Sequence, residues 1–317
     1  MGMTAVMPIA ALWLALAVDR WLGEPPARLH PVVWMGRYLG LAGRRIAPPV
    51  AAGDTRRLRP LIAGSLAWWF GAALVAIVAL AVQALARQLP GAFAWLLVGL
   101  ALKPLLAWRM LRDEVLAVEA ALGVSLDAGR ARLAHLVSRE VAALTEAEVR
   151  ESAIESLAEN LNDSVVAPVF WFLVLGLPGA AVYRFANTAD AMWGYRGERG
   201  GRDWTWAGKW AARADDALSW LPARLTALLL FAVAPGGPCQ LMLLRREAAK
   251  TPSPNSGWPM AAMALRLGVR LGKPGVYALN PPGRAPAAQD TRRAAVLGAR
   301  AVMAAGAAAT VALAFVA

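Results

Sequence analysis

At 317 residues the chain is 58% hydrophobic and 17% charged, with a mean hydropathy of +0.47. An ordinary soluble domain is roughly half apolar and about a quarter charged, so the expectation is an all-α, polytopic integral membrane protein. The 28 glycines and 21 prolines are scattered without a period, which excludes a collagen-like repeat and a disordered chain. The net charge of +12, from 33 basic and 21 acidic residues, lies in segments flanking apolar runs. That pattern suits anionic headgroups and the positive-inside rule, and neither an RNA-binding aromatic motif nor a zinc finger accompanies it, so no nucleic acid is expected. With one cysteine and two histidines, an intrachain disulfide, a CxxC site and a multi-histidine metal site are all excluded. Any metal must be a hard cation on oxygen ligands.

About four to six membrane segments are expected, at 4–18, 61–86, 89–102, 165–183, 225–244 and 301–317, within a single membrane-embedded domain over 1–317 with cytoplasmic helical loops. The first contains Ala15-Leu16-Ala17, which resembles a signal-peptidase site, but no basic n-region precedes it. Leu61 to Ala86 is uncharged and bracketed by Arg59 and Arg87. At 1.5 Å per residue it reaches about 39 Å, enough for the hydrocarbon core. Leu89-Pro90-Gly91 reads as a turn into a second apolar helix ending at Lys103, which can snorkel, so the pair forms a hairpin. Gly176-Leu177-Pro178-Gly179 and Pro235-Gly236-Gly237-Pro238 break the next two runs into short halves, either re-entrant hairpins or kinked spans. The last run follows Arg292, Arg293 and Arg300. Between Asp19 and Pro60 eight arginines outnumber three acids, which puts this loop in the cytoplasm and the N-terminus outside.

Several polar constellations interrupt this apolar background. His30, between Gly23-Glu24-Pro25-Pro26 and Pro31, has a restricted backbone and is a general base, a ligand or a packed turn residue. On a helix over 151–163, Ser152, Glu155, Ser156, Glu159 and Asp163 share an arc of about 100°, opposite Ile154, Leu157 and Leu161. Such a stripe suits Mg²⁺ or an amine that needs a base, or is simply a solvated face. Because it runs into the apolar Val165-Val166-Ala167-Pro168, its polar end belongs at the membrane boundary. Tyr183, Asn187 and Asp190 share the next face, and a re-entrant hairpin would return it beside the stripe; Tyr183, Trp193 and Tyr195 alone would suit interfacial anchors. Lys209 and Arg213 suit phosphate or carboxylate, and Asp215-Asp216 a metal, unless Arg213 and Asp216 merely pair across a helix turn. Gly201 to Lys209 is not a P-loop: its glycine spacing is wrong and Trp210 stands where Ser or Thr must bind Mg²⁺. Ser253-Pro254-Asn255-Ser256-Gly257 is a rigid turn of the kind that offers backbone amides to a ligand.

In this order, His30-Pro31-Val32-Val33-Trp34-Met35-Gly36-Arg37, the block from Glu151 to Asp163 with Ala167-Pro168, Tyr183-Arg184 through Asn187-Thr188 to Asp190-Ala191-Met192, Arg213-Ala214-Asp215-Asp216 and Ser253-Pro254-Asn255 resemble the adenosylcobinamide-phosphate synthase family of cobalamin biosynthesis. Ala264-Leu265-Arg266 and Lys273-Pro274 depart from the family pattern. The resemblance implies a multi-pass bacterial inner-membrane ligase with its active site facing the cytoplasm. It implies ATP-dependent amide formation between a propionate of the corrinoid adenosylcobyric acid and (R)-1-aminopropan-2-ol or its O-phosphate, with Mg²⁺ and ATP as required groups. Other late cobalamin-pathway enzymes are implied as partners beside the lipid bilayer. On side-chain type and spacing, catalysis is expected of His30, Glu155, Glu159, Asn160, Asp163, Asn187 and Asp190. Substrate contacts fall to Arg37, Tyr183, Arg184, Lys209, Arg213, Ser253 and Asn255, and Mg²⁺ to Glu155, Asp163, Asp190, Asp215 and Asp216. These groups are expected to converge on one magnesium-phosphate pocket at the cytoplasmic lip of the bilayer.

Two other classes compete. A transporter for a corrinoid or another anion would also use broken helices, but would show a repeated hydropathy pattern and polar groups at mid-bilayer. A sensor or scaffold of the same ancestry would lose acids such as Glu155 and Asp190, and both are present.

Overall fold

The computed structural model describes residues 3–50, 57–138, 140–234 and 239–316, and the breaker Pro235-Gly236-Gly237-Pro238 lies outside them. In chain order the helices are α1 (Met3–Trp21), α2 (Pro31–Ile46), α3 (Leu58–Gln88), α4 (Gly91–Leu102), α5 (Trp108–Leu122), α6 (Leu126–Leu133), α7 (Glu146–Leu161) and α8 (Ala167–Trp193). After the ribbon β1 (Glu198–Arg199) and β2 (Arg202–Asp203) come α9 (Lys209–Val233), α10 (Cys239–Ala248) and α11 (Gly257–Leu267). A second ribbon, β3 (Leu271–Lys273) and β4 (Tyr277–Leu279), precedes α12 (Ala288–Val316). Both ribbons are antiparallel pairs.

Among the described residues, five helical stretches are long and apolar enough to cross a bilayer: Leu58–Gln88, Gly91–Leu122, Glu146–Trp193, Lys209–Val233 and Ala288–Phe315. The fold is therefore the all-α, polytopic one expected. α3 shows why a bilayer suits it. Its buried positions are mostly small, with Gly64 and Gly71, and Ala72, Ala79 and Ala86, recurring every seven residues. Its exposed positions carry Ile62, Leu66, Phe70, Leu74, Ile77 and Val78. Small residues inward and large apolar ones outward is the packing of helices whose solvent is lipid.

The chain packs as two compact units: Met1–Leu106, Ala167–Leu218 and Ala309–Ala317 form one, Ala107–Val166 and Ser219–Ala308 the other. In the first, α1 lies along α4, and α8 packs against α2, α3 and α4. Leu89 ends α3 in an extended conformation and Pro90 caps α4, so the expected helical hairpin forms. In the second, α5, α6 and α11 surround α7, with β3 alongside. α7 starts where Thr145 and Glu148 cap each other's backbone amides in a capping box, a signature that requires only Thr-x-x-Glu.

One segment decides between two expectations and two differ from expectation. α8 is two helices joined at Gly176, whose φ of 67° and ψ of −157° are open essentially to glycine alone. A Cβ on Gly179 would collide with the Trp171 carbonyl oxygen; a straight helix separates residues eight apart by about 12 Å. The chain therefore doubles back at Gly176–Gly179, so of the two readings for 165–183 the hairpin is the one formed. The run at 225–244 is not two short halves: α9 begins at Lys209 and its 25 residues are long enough on their own. Its first turns carry enough charge to hide the apolar face in a hydropathy reading. Likewise α12 starts at Ala288 and takes Arg292, Arg293 and Arg300 into the helix, rather than leaving them as a flank to a span at 301–317.

Candidate functional site

In the first unit, a buried charge network joins the end of α1, the loop before α2 and the end of α4. Lys103 is 3% exposed and its Nζ lies 2.8 Å from Glu24 Oε2 and 3.3 Å from Asp19 Oδ1. The second Glu24 oxygen is buried with no hydrogen-bond partner among the described residues. Glu24 Oε2 also meets His30 Nε2 at 3.0 Å, while His30 Nδ1 accepts from the Val32 amide at 3.3 Å. Since an amide can only donate, Nδ1 carries the lone pair and Nε2 carries the proton given to Glu24. Both imidazole nitrogens are thus engaged, and His30 serves as the N-cap of α2; in this arrangement it has no lone pair left for a substrate proton. Lys103, expected to snorkel, is instead the centre of the network. The signal for it in the sequence was a lone cation inside an apolar run, which requires partners.

The second half of α8 and the start of α9 supply the other polar group of this unit. Arg184 donates to Asn187 Oδ1 at 3.4 Å, and Asn187 Nδ2 donates to Asp215 Oδ1 at 3.5 Å. Asp190 lies one turn further along, its carboxylate against Gly194, where a Cβ would collide with it. Arg213 and Arg196 act on the Asp216 carboxylate electrostatically; Arg196 carried no sign in the sequence. Lys209 is exposed and stacks on the Trp206 ring at 4.0 Å. Tyr183 is fully buried and Trp193 is 1% exposed, with the Trp193 indole donating to the Leu39 carbonyl at 3.1 Å. These two rings are therefore core residues rather than interfacial anchors. Arg37 stands exposed on α2. Gly201, the first glycine of the segment that is not a P-loop, belongs to a hairpin turn: Gly200 and Gly201, at φ 59° and 72°, join β1 to β2.

In the second unit, the α7 stripe forms a wall. Ser152, Glu155, Ser156, Glu159 and Asn160 line an open cleft of about 200 Å³ together with Met260, Lys273 and Tyr277. Glu155 is only 4% exposed and Glu151 beneath it is held by Arg270 at 3.1 Å. The opposite face, Ile154, Leu157 and Leu161, is fully buried, as the periodicity requires. Asn160 donates to the Ser156 carbonyl at 3.0 Å. Asp163 leaves the stripe: it sits in a π-turn over Asn162–Val166, where the wider winding changes the phase, and it accepts from Asn162 at 2.8 Å. Lys273 and Tyr277 arrive from the β3–β4 ribbon, which had no counterpart in the sequence reading.

Ser253 and Asn255 hold the fold rather than present free amides. Ser253 Oγ accepts from the amides of Asn255 and Ser256, both at 3.2 Å. Asn255, 5% exposed, accepts from Arg224 at 3.3 Å, whose guanidinium packs on the rings of Trp220 and Trp258. Nor do the five carboxylates assigned to Mg²⁺ form a preformed cage. Among the described residues no three His, Cys, Asp or Glu side chains gather as a metal cluster.

The family model described as CobD/Cbib protein matches residues 12–305. The chain belongs to the CobD/CbiB family. The match extends over Ala264-Leu265-Arg266 and Lys273-Pro274. Cobalamin biosynthesis protein CobD of Chromobacterium violaceum is 45% identical over 269 residues, 82% of this chain and 80% of the relative. The probable cobalamin biosynthesis proteins CobD of Thermococcus kodakarensis (42% over 284 residues, 89% and 87%) and Pyrococcus abyssi (40% over 287 residues, 90% of each) are similar over nearly their whole length. No solved structure matches the chain. Membership in this family supports a role in cobalamin biosynthesis.

Proposed function

We propose that the chain is a multi-pass inner-membrane ligase with a cytoplasmic active site, joining a propionate of adenosylcobyric acid to (R)-1-aminopropan-2-ol or its O-phosphate at the expense of ATP. The observation that carries this reading beyond family membership is Glu155, a carboxylate nearly withdrawn from water yet lining an open polar cleft. A carboxylate is a poor electrophile. Transfer of the γ-phosphoryl group to the propionate leaves ADP and an acyl phosphate. The amine then attacks the acyl carbon, phosphate departs, and the ammonium proton passes to a base. Glu155 is that base in this reading, with Glu159 and Asn160 beside it to orient the amine. Arg184, Lys209 and Arg213, all in the first unit, are by themselves a cationic group of the kind that suits phosphate.

Mg²⁺ on a nucleotide takes one or two carboxylates and fills its octahedron with phosphate oxygens and water. The Asn187–Asp215 contact between α8 and α9, with Asp190 one turn away, fits that donor set without a three-acid cluster. Asp190 and Asp215 would hold the ion, which supplies charge neutralisation to the phosphates.

A deletion strain tests the assignment. It should fail to make cobalamin from cobyric acid and recover when fed cobinamide; growth on both, or on neither, would point away from this step. Loss of a transporter for cobyric acid would spare synthesis from internally made corrinoid, which the same strain reports.

A further inference from the structure

We propose that the cleft walled by Arg44, Arg45, Arg59 and Arg202 binds the phosphate headgroup of an anionic phospholipid. The cleft measures about 330 Å³ and includes Ile46 and Pro60 among its apolar lining. α2 supplies Arg44 and Arg45 in its last turn, the first turn of α3 supplies Arg59, and β2 supplies Arg202. Arg202 donates to the Ala47 carbonyl at 2.6 Å, which ties the β1–β2 ribbon to the end of α2 and fixes one wall.

Among the described residues the charge of this cleft is uncompensated. Among the described residues no carboxylate lines it, and Arg44, Arg45 and Arg59 take part in no ion pair. Asp203, next in the chain to Arg202, commits Oδ1 to the amide and hydroxyl of Thr205. Guanidinium groups converging without an acid suit a phosphate, which accepts several charge-assisted hydrogen bonds at once. Location selects the source. Arg59 opens the longest uncharged run of the chain, and the next residues outward on α3, Ile62, Leu66, Trp69 and Phe70, are exposed and apolar. The arginines thus stand at headgroup depth beside a lipid-facing surface, with an apolar lining that a glycerol backbone can cover. A soluble phosphate would gain nothing from that flank.

Native mass spectrometry of the full-length protein in detergent, with phosphatidylglycerol or phosphatidylcholine added back, tests the proposal. Wild type should retain phosphatidylglycerol in preference to phosphatidylcholine, and the preference should fall with added salt. Arg45→Gln and Arg59→Gln, which remove no hydrogen bond among the described residues, should each lower it roughly fivefold. Arg245→Gln with Arg246→Gln, on α10, should leave it intact. Equal retention of the two lipids by wild type, a salt-independent preference, or an unchanged preference in both cleft variants overturns the proposal. Displacement of the lipid by inorganic phosphate at equal concentration overturns the lipid assignment in favour of a soluble anion.

Discussion

A lysine 3% exposed to solvent persists in a fold only if its charge is matched where it lies. Lys103 meets Asp19 and Glu24 together, so replacing it takes the cationic partner from two carboxylates rather than one. Lys103→Met should lower stability by about 3–5 kcal/mol, read as a drop in the thermal unfolding midpoint, and adding Asp19→Asn should restore part of it. An unchanged midpoint for the single variant would mean that the network is not paired as described. The same network removes His30 from proton transfer. His30→Asn keeps a capping side chain and should retain activity to within about tenfold, whereas loss of a general base costs roughly 10²–10⁴-fold. Glu155→Gln is the opposite case. It preserves shape in the cleft and should abolish amide formation by about that larger factor while the protein still inserts into membranes. Full activity in Glu155→Gln would remove Glu155 from the chemistry.

At the scale of elements, the hairpin in α8 rests on a glycine. Gly176→Ala places a side chain in backbone geometry that costs of order 1–3 kcal/mol and drives its Cβ into the Gln83 amide, which also accepts the Leu177 backbone N–H at 3.0 Å. The variant should show increased proteolysis or hydrogen exchange confined to 170–183; uniform protection would contradict a strained turn. Gly-Leu-Pro-Gly marked this reversal in the sequence because glycine and proline report backbone geometry directly, as did Leu89-Pro90-Gly91 between α3 and α4. The α7 stripe was legible for a similar reason: 3.6-residue periodicity places Ser152, Glu155, Ser156 and Glu159 together without any tertiary information. What was not legible depended on distant partners. Nothing local pairs Lys103 with Asp19, or brings Lys273 and Tyr277 to the α7 cleft. The start of α9 was hidden because Lys209, Arg213, Asp215 and Asp216 lower its mean hydropathy while its other face stays apolar. Asp163 was misplaced because a π-turn breaks the very periodicity used to place it.

For the whole molecule, the proposed reaction sets one chemical requirement: a charged, bulky corrinoid would have to meet ATP and a small amine beside a membrane. Family membership supports a role in the pathway, and the reaction itself is open to direct measurement. Purified wild-type protein in detergent, given adenosylcobyric acid, ATP, Mg²⁺ and (R)-1-aminopropan-2-ol or its O-phosphate, should yield the amide product by mass spectrometry, with stoichiometric release of ADP and phosphate. It should yield none when ATP is omitted or when Glu155→Gln replaces wild type. ATP-independent product, or no product with either amine from folded protein, would contradict the assignment of this chain as the ligase.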